Sequence, residues 1–159
     1  MPTWLFEKAR GDDRSRVESI LLDHNPDAVI QGRYYMATEN GEIKGVVGLL
    51  HRSWYMTEIR HLYVKPKYRR SGVGRFLVER ALKKVKTPLV CCTVKEDNEG
   101  SMALFRGEGF TAERKFLNPE TGHMVLLMAR PIGPCYCAEI RKTYPGAVCD
   151  FCSGLRTVV

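Results

Sequence analysis

The feature that most restricts this chain is a glycine-bearing loop, Arg69-Arg70-Ser71-Gly72-Val73-Gly74, between a predicted strand ending at Val64 and a predicted helix beginning near Val73. A loop that runs into a helix offers several backbone N–H groups without intrahelical partners, at the positive end of the helix dipole. Glycine removes the Cβ that would keep a bound group away from the backbone. Such a place suits a phosphate. Charge gathers at the same spot. Residues 60–86 hold ten Lys and Arg against one acid, Glu79, and since the whole chain carries +7, the remainder is slightly acidic. A local cluster points to a local anionic partner, a phosphorylated ligand or a nucleic acid. A solvated, lysine-rich helix face is the plain alternative. Two other phosphate loops are excluded. The dinucleotide fingerprint needs a third glycine where Leu77 stands, and no G-x-x-x-x-G-K-[ST] occurs.

The rest of the chain supplies a mixed α/β context. Thr3 to Ala9 reads as a strand, and Asp12 and Asp13 are expected to cap a helix whose apolar face carries Val17, Ile20 and Leu21. Asn25-Pro26 breaks that helix. Tyr34 to Thr38 and Ile43 to Leu50 flank Asn40-Gly41, a two-residue hairpin signal, with Gly45 and Gly48 as expected bulge sites. Glu58 to Val64 alternates as a strand, Val73 to Val85 follows a helical period, and Leu89 to Val94 reads as a buried strand. Ser101 to Glu108 is a short helix stopped by Gly109, and Phe110 to Leu117 and His123 to Arg130 form a last antiparallel pair. Composition shifts at Pro131-Ile132-Gly133-Pro134, which divides the chain into a domain over 1–130 and an appendage over 131–159. Apolar residues are 44% and charged residues 27%, which excludes a disordered chain. The longest apolar runs, Val46 to Leu50 and Met124 to Ala129, fall far short of the roughly 20 residues a spanning helix needs. Charge at Glu7 comes too early for a secretory signal, so the expected location is the cytoplasm.

The loop matches Q/R-x-x-G-x-G/A, the acetyl-CoA signature of the GNAT superfamily of N-acetyltransferases, and the resemblance extends over about residues 3 to 130. Leu62-Tyr63-Val64-x-Pro66 resembles the family's fourth strand. Asn98 follows the fifth, and Phe105-x-x-x-Gly109-Phe110 resembles the end of its fourth helix. The resemblance implies a mostly antiparallel central sheet with splayed fourth and fifth strands, flanked by helices. It also implies that the amides of Arg70, Ser71, Gly72, Val73, Gly74 and Arg75 bind the CoA pyrophosphate, with Arg69 in the Q/R position. The backbone of Leu62, Tyr63 and Val64 would pair with the pantetheine arm and polarise the thioester carbonyl. Asn98 would hydrogen-bond the same arm or serve as a helix N-cap.

The implied reaction is direct attack of a primary amine on acetyl-CoA in a ternary complex. A base must take the amine proton, and Glu58 is the candidate, 11 residues before Arg69. His61 and His123 are weaker candidates. Strict alternation would point His61 to the opposite face from Glu58 and Arg60. In much of the family a tyrosine before x-x-x-Gly-Phe protonates the leaving thiolate. Phe105 stands there and has no proton to give. That departure keeps an alternative open, a non-catalytic CoA-binding or nucleic-acid-associated module. The groove for the acceptor amine would lie near residues 24–34 and 117–122, where Asp23, Asp27 and Glu120 could favour a cation. The position of the charge around a cofactor loop argues against a nucleic-acid partner, no membrane partner is expected, and a homodimer stays open.

Cys135-x-Cys137 and Cys149-x-x-Cys152 are spaced as two thiolate pairs that could grip one structural zinc. A disulfide or free thiols are the alternatives. Cys91 and Cys92 lie in the predicted buried strand and read as core packing.

Overall fold

Asn40-Gly41 makes the turn it signals. Both residues take positive φ, 52° and 77°, as a two-residue hairpin matched to strand twist requires. They join β2 (Arg33–Glu39) to β3 (Glu42–His51). The computed structural model describes residues 3–134 and 136–146, and the chain divides into two units, Met1–Val85 and Lys86–Val159.

In the first unit, β1 (Leu5–Lys8), β2, β3 and β4 (Met56–Val64) form an antiparallel sheet in chain order. Helix α1 (Asp12–His24) covers one face, where Val17 and Leu21 join Ala9, Tyr34, Met36, Ile43 and Val46 in one buried cluster. Its first residue follows Gly11, which offers no side-chain cap. Asp12 and Asp13 therefore act within the first turn, against the helix dipole, rather than as the expected cap. Helix α2 (Val73–Leu82) covers the other face with Val73, Leu77, Val78, Ala81 and Leu82 buried. A Cβ on Gly45 would stand 3.0 Å from Leu77 Cδ1 and 3.1 Å from Val73 Cγ1, so that glycine sets how closely α2 can lie on β3. The helical period runs on to Val85, but the helix ends at Leu82. Lys84 and Val85 donate to Ala81 and Leu82, i→i+3 bonds that tighten the last turn, and Val85 stays buried.

The β3–β4 ladder has one irregularity. Val46 pairs with Tyr63 and Gly48 with Arg60, so β4 carries one residue more than β3 across that step. His61 takes the strain with φ 51°. This is a β-bulge, a feature that redirects side chains. The glycine signal at Gly48 thus marked the right place, although the extra residue sits on the partner strand.

In the second unit β7 (Met124–Pro131) lies between β5 (Leu89–Lys95) and β6 (Thr111–Leu117), both antiparallel to it. Helix α3 (Glu99–Gly107) begins two residues before the expected start, because the Asn98 side chain accepts from Ser101 N–H and caps it. Its end is a Schellman motif. Phe110 N–H donates to Phe105 O, Gly109 N–H donates to Arg106 O, and Gly109 has φ 89°. The Phe105 and Phe110 rings meet edge to face at 5.1 Å, the apolar contact that accompanies such a stop. Cys92 is buried in β5 and Cys91 partly so, neither in a disulfide. Helix α4 (Cys137–Thr143) follows. No described helix is long and apolar enough to cross a membrane.

Candidate active site

β4 ends at Val64, a 3-10 turn spans Pro66–Tyr68, and the loop leads into α2. Two devices hold the loop. Arg69 Nε donates to Val64 O at 3.0 Å, tying it to the strand, with the Arg69 guanidinium 5.6 Å over the Tyr63 ring. Ser71 Oγ donates to Tyr68 O. Arg70 and Gly72 adopt left-handed backbone, φ 61° and 93°. Alternation of that kind turns successive N–H groups inward, a nest suited to an anion. Gly72 is the N-cap of α2 and supplies no capping side chain, so the first-turn N–H groups of Val73 and Gly74 face outward without one. A Cβ on Gly72 would meet only the Trp4 ring, at 3.7 Å.

Charges around the loop are partly matched. Arg75 pairs with Glu79, and Lys67 with Glu42. Tyr68 and Lys67 both hydrogen-bond Glu42 and hold its carboxyl below the usual range, while the same Glu42 contact raises Lys67. Lys44 lies 4.2 Å over the Tyr68 ring. Arg69 thus ties the loop to the strand, and Arg70 is exposed.

Upstream on β4, Glu58 is half-buried and receives Arg52 twice, from Nε at 2.7 Å and Nη2 at 2.5 Å, both on Oε2. Both bonds leave Oε1 outside the ion pair. Arg60 and Tyr34 stand on the same face, since both are paired with Gly48. A Cβ on Gly48 would lie 2.8 Å from Tyr34 Cε1, so glycine there lets the Tyr34 ring lean toward β4. The Tyr34 hydroxyl lies 2.7 Å from His61 Nδ1 and accepts from Gln31 N–H at 3.3 Å. Strict alternation fails here: the bulge turns His61 toward Tyr34 on the Arg60 side of the sheet. Burial, reinforced by Arg60 and opposed by Glu58, lowers the His61 pKa, and burial raises that of Tyr34. This cluster gave little warning in the sequence, because a bulge leaves no motif. Only Gly48 hinted at it.

Tyr63 stacks on His24 at 4.4 Å and packs against the α1 cluster. The segment after α1 is a loop, pinned by Arg14 to Gly32 O at 2.8 Å and by Arg60 Nη2 to Val29 O at 3.1 Å. In the second unit Asn98 is committed through Oδ1 to Ser101, leaving Nδ2 for another partner. Phe105 is 3% exposed. His123 closes a tight hairpin, its carbonyl accepting from Asn118 N–H at 2.8 Å. Among the described residues no group of three or more His, Cys, Asp or Glu could hold a metal. Cys135, Cys149 and Cys152 lie outside the described residues, and of Cys137 only the backbone, in α4, is described.

The acetyltransferase (GNAT) family model matches residues 3–110. No significant match was found among curated proteins. Among solved structures, the chain is similar to the ribosomal-protein-S18-alanine N-acetyltransferase from Escherichia coli, with TM-score 0.68, 17% identity, and 84% of this chain and 96% of that one covered. It is similar to Arabidopsis thaliana NAA60 in complex with acetyl-CoA, with TM-score 0.68, 18% identity, and 82% and 99% covered. A GNAT family acetyltransferase from Elizabethkingia anophelis with acetyl-CoA bound aligns with TM-score 0.67, 16% identity, and 83% and 100% covered. At these identities the likeness shows the fold, a mixed α/β fold shared with acetyltransferases. Together with the family match over most of the chain, it makes this protein a member of the GNAT acetyltransferase family and an acyltransferase.

Proposed function

We propose that this protein transfers the acetyl group of acetyl-CoA to a primary amine. The observation that carries this reading is the start of α2, where Gly72 in left-handed backbone offers no capping side chain to the first-turn N–H groups beside Arg70. That geometry fits a pyrophosphate, and two of the similar structures hold acetyl-CoA. The amides of Arg70 to Arg75 would bind the pyrophosphate, and the backbone of Leu62 to Val64 the pantetheine arm. Asn98 and Phe105 enter as cofactor residues through the family resemblance alone.

In the proposed step the neutral amine attacks the thioester carbonyl in a ternary complex. The N–C bond forms, the carbonyl carbon releases the CoA thiolate, and the amine proton passes to Glu58 Oε1, directly or through a water. A backbone N–H of β4 stabilises the oxyanion. Phe105 offers no proton, so the thiolate takes its own from solvent. The catalytic domain is taken as residues 1–130 and the appendage as 131–159, with the cytoplasm as its place of action.

An acceptor screen with acetyl-CoA, followed by free-thiol release, tests the reading. Amine-dependent release supports it. Acetyl-CoA binding without release for any amine would favour the non-catalytic alternative. One structural zinc on Cys135, Cys137, Cys149 and Cys152 remains a sequence-based proposal. About one zinc per chain in metal analysis, lost in a Cys149→Ser, Cys152→Ser variant, would support it, and metal-free protein would end it.

A further inference from the structure

Three arginines stand on the α1 side of the first unit near the loop after α1: Arg14, Arg52 and Arg60. Arg14 is neutralised by Glu18 at 3.0 Å and Arg52 by Glu58 at 2.5 Å. Arg60 has no carboxylate partner among the described residues. Among the described residues its Nη2 donates to the Val29 carbonyl, and its buried Nε finds no hydrogen-bond partner. A half-buried guanidinium kept without a counter-charge is costly, because desolvation is not offset by pairing. A ligand that brings a counter-charge and hydrogen-bond acceptors would complete such a group.

The neighbours point the same way. The Tyr34 hydroxyl accepts from Gln31 N–H and pairs with His61 Nδ1. Where Tyr34 donates in that pair, the neutral His61 ring carries its proton on Nε2, a donor. The bulge sets this donor beside Arg60 in sequence and on the same side of the sheet. Glu58, two residues from Arg60, is already held by Arg52. The local surface is thus one unmatched cation and one neutral donor, both on β4 between the candidate base and the thioester-binding backbone.

We propose that Arg60 binds a carboxylate carried by the acceptor, so that the acceptor amine belongs to an amino acid or another amino-carboxylate rather than to a polyamine or a lysine side chain. A guanidinium fork matches a carboxylate in geometry as well as charge. Arg60 is then the specificity-determining residue, with His61 Nε2–H as a second donor. This inference rests on the acetyl-transfer reading above, and it runs against the sequence expectation that Asp23, Asp27 and Glu120 favour a cation.

The test uses the full chain and matched acceptors: amino acids, ω-amino acids and dipeptides, each beside its carboxamide, with polyamines and amidated lysine peptides in the same panel. Thiol release gives kcat/KM for each. The expected result is a preference for the carboxylate member of at least about tenfold. Arg60→Met should collapse that ratio toward one, and Arg60→Lys should restore part of it. Acetyl-CoA binding by calorimetry reports that each variant is folded. Carboxamides or polyamines accepted as well as carboxylates would overturn the proposal and leave the transferase reading standing, as would an Arg60→Met variant that lowers both members alike. No thiol release from any amine, with acetyl-CoA still bound, would overturn both.

Discussion

Two helices of this protein begin in opposite ways. Helix α3 is capped by its own chain: Asn98 Oδ1 takes the Ser101 N–H of the first turn. Helix α2 begins at Gly72, which has no side chain to offer, after a loop bent by left-handed Arg70. The difference is where the backbone's polar groups find partners. A helix start that satisfies itself is structural. One that leaves N–H groups open in a basic setting, with no Cβ in the way, is built to be completed by an anion.

The largest expected effect comes from making α2 resemble a closed start. Gly72→Glu places a branch and a negative charge where the pyrophosphate would sit, and forces an L-residue into φ 93°. Acetyl-CoA affinity should fall by more than about 100-fold in calorimetry, since a like-charge juxtaposition across an interface costs several kcal/mol. Retained binding would remove the site assignment. Gly45→Ala probes the support beneath the same helix. Its Cβ would press on Leu77 Cδ1, Val73 Cγ1 and Tyr63 O at 3.0–3.1 Å, so urea denaturation should show a loss of about 1–3 kcal/mol. Its effect on acetyl-CoA affinity should be much smaller than that of Gly72→Glu. The reverse ranking would mean that helix position, not the open start, controls binding.

The open start of α2 was legible in the sequence because its parts are contiguous: Arg69 to Gly74 between an apolar strand and an apolar helical period. The hairpin at Asn40-Gly41 and the stop at Gly109 were legible for the same reason, each a residue type demanded by positive φ. The cluster of Tyr34, Arg60 and His61 was not. It depends on a bulge that shifts the strand's phase by one residue, and on Gly48 admitting a ring from another strand. Such contacts join positions 27 residues apart without a local signature. The end of α2 was overrun for a related reason. Val85 keeps the apolar period, and burial alone does not distinguish an α-turn from the tighter turn that follows it.

Asn98→Ala opens the start of α3. Losing the cap should lower stability by about 1 kcal/mol, read by urea denaturation. The family resemblance adds that Nδ2 holds the pantetheine arm, and a severalfold rise in KM for acetyl-CoA would show that second role. A stability loss with unchanged KM would leave Asn98 a cap only and sharpen the contrast with Gly72.

The smallest effect on activity is expected at the other end of α3. Phe105 is 3% exposed and packs edge to face on Phe110, so its ring is part of the Schellman stop that ends the helix. The same position carries the thiolate acid in many relatives. Phe105→Tyr keeps the ring and adds one hydroxyl, which must find a partner or cost about 1–3 kcal/mol of stability. Turnover should stay within about twofold of the parent or rise, because Phe105 itself has no proton to give the thiolate and a hydroxyl there would supply one. The pH profile separates the causes. A hydroxyl that donates to the thiolate introduces a limb at high pH that the parent lacks, whereas a hydroxyl that only crowds Phe110 lowers the melting temperature and leaves the profile unchanged. A large fall in kcat together with lost stability would show that position 105 serves packing first, and that the proton is managed elsewhere in the site.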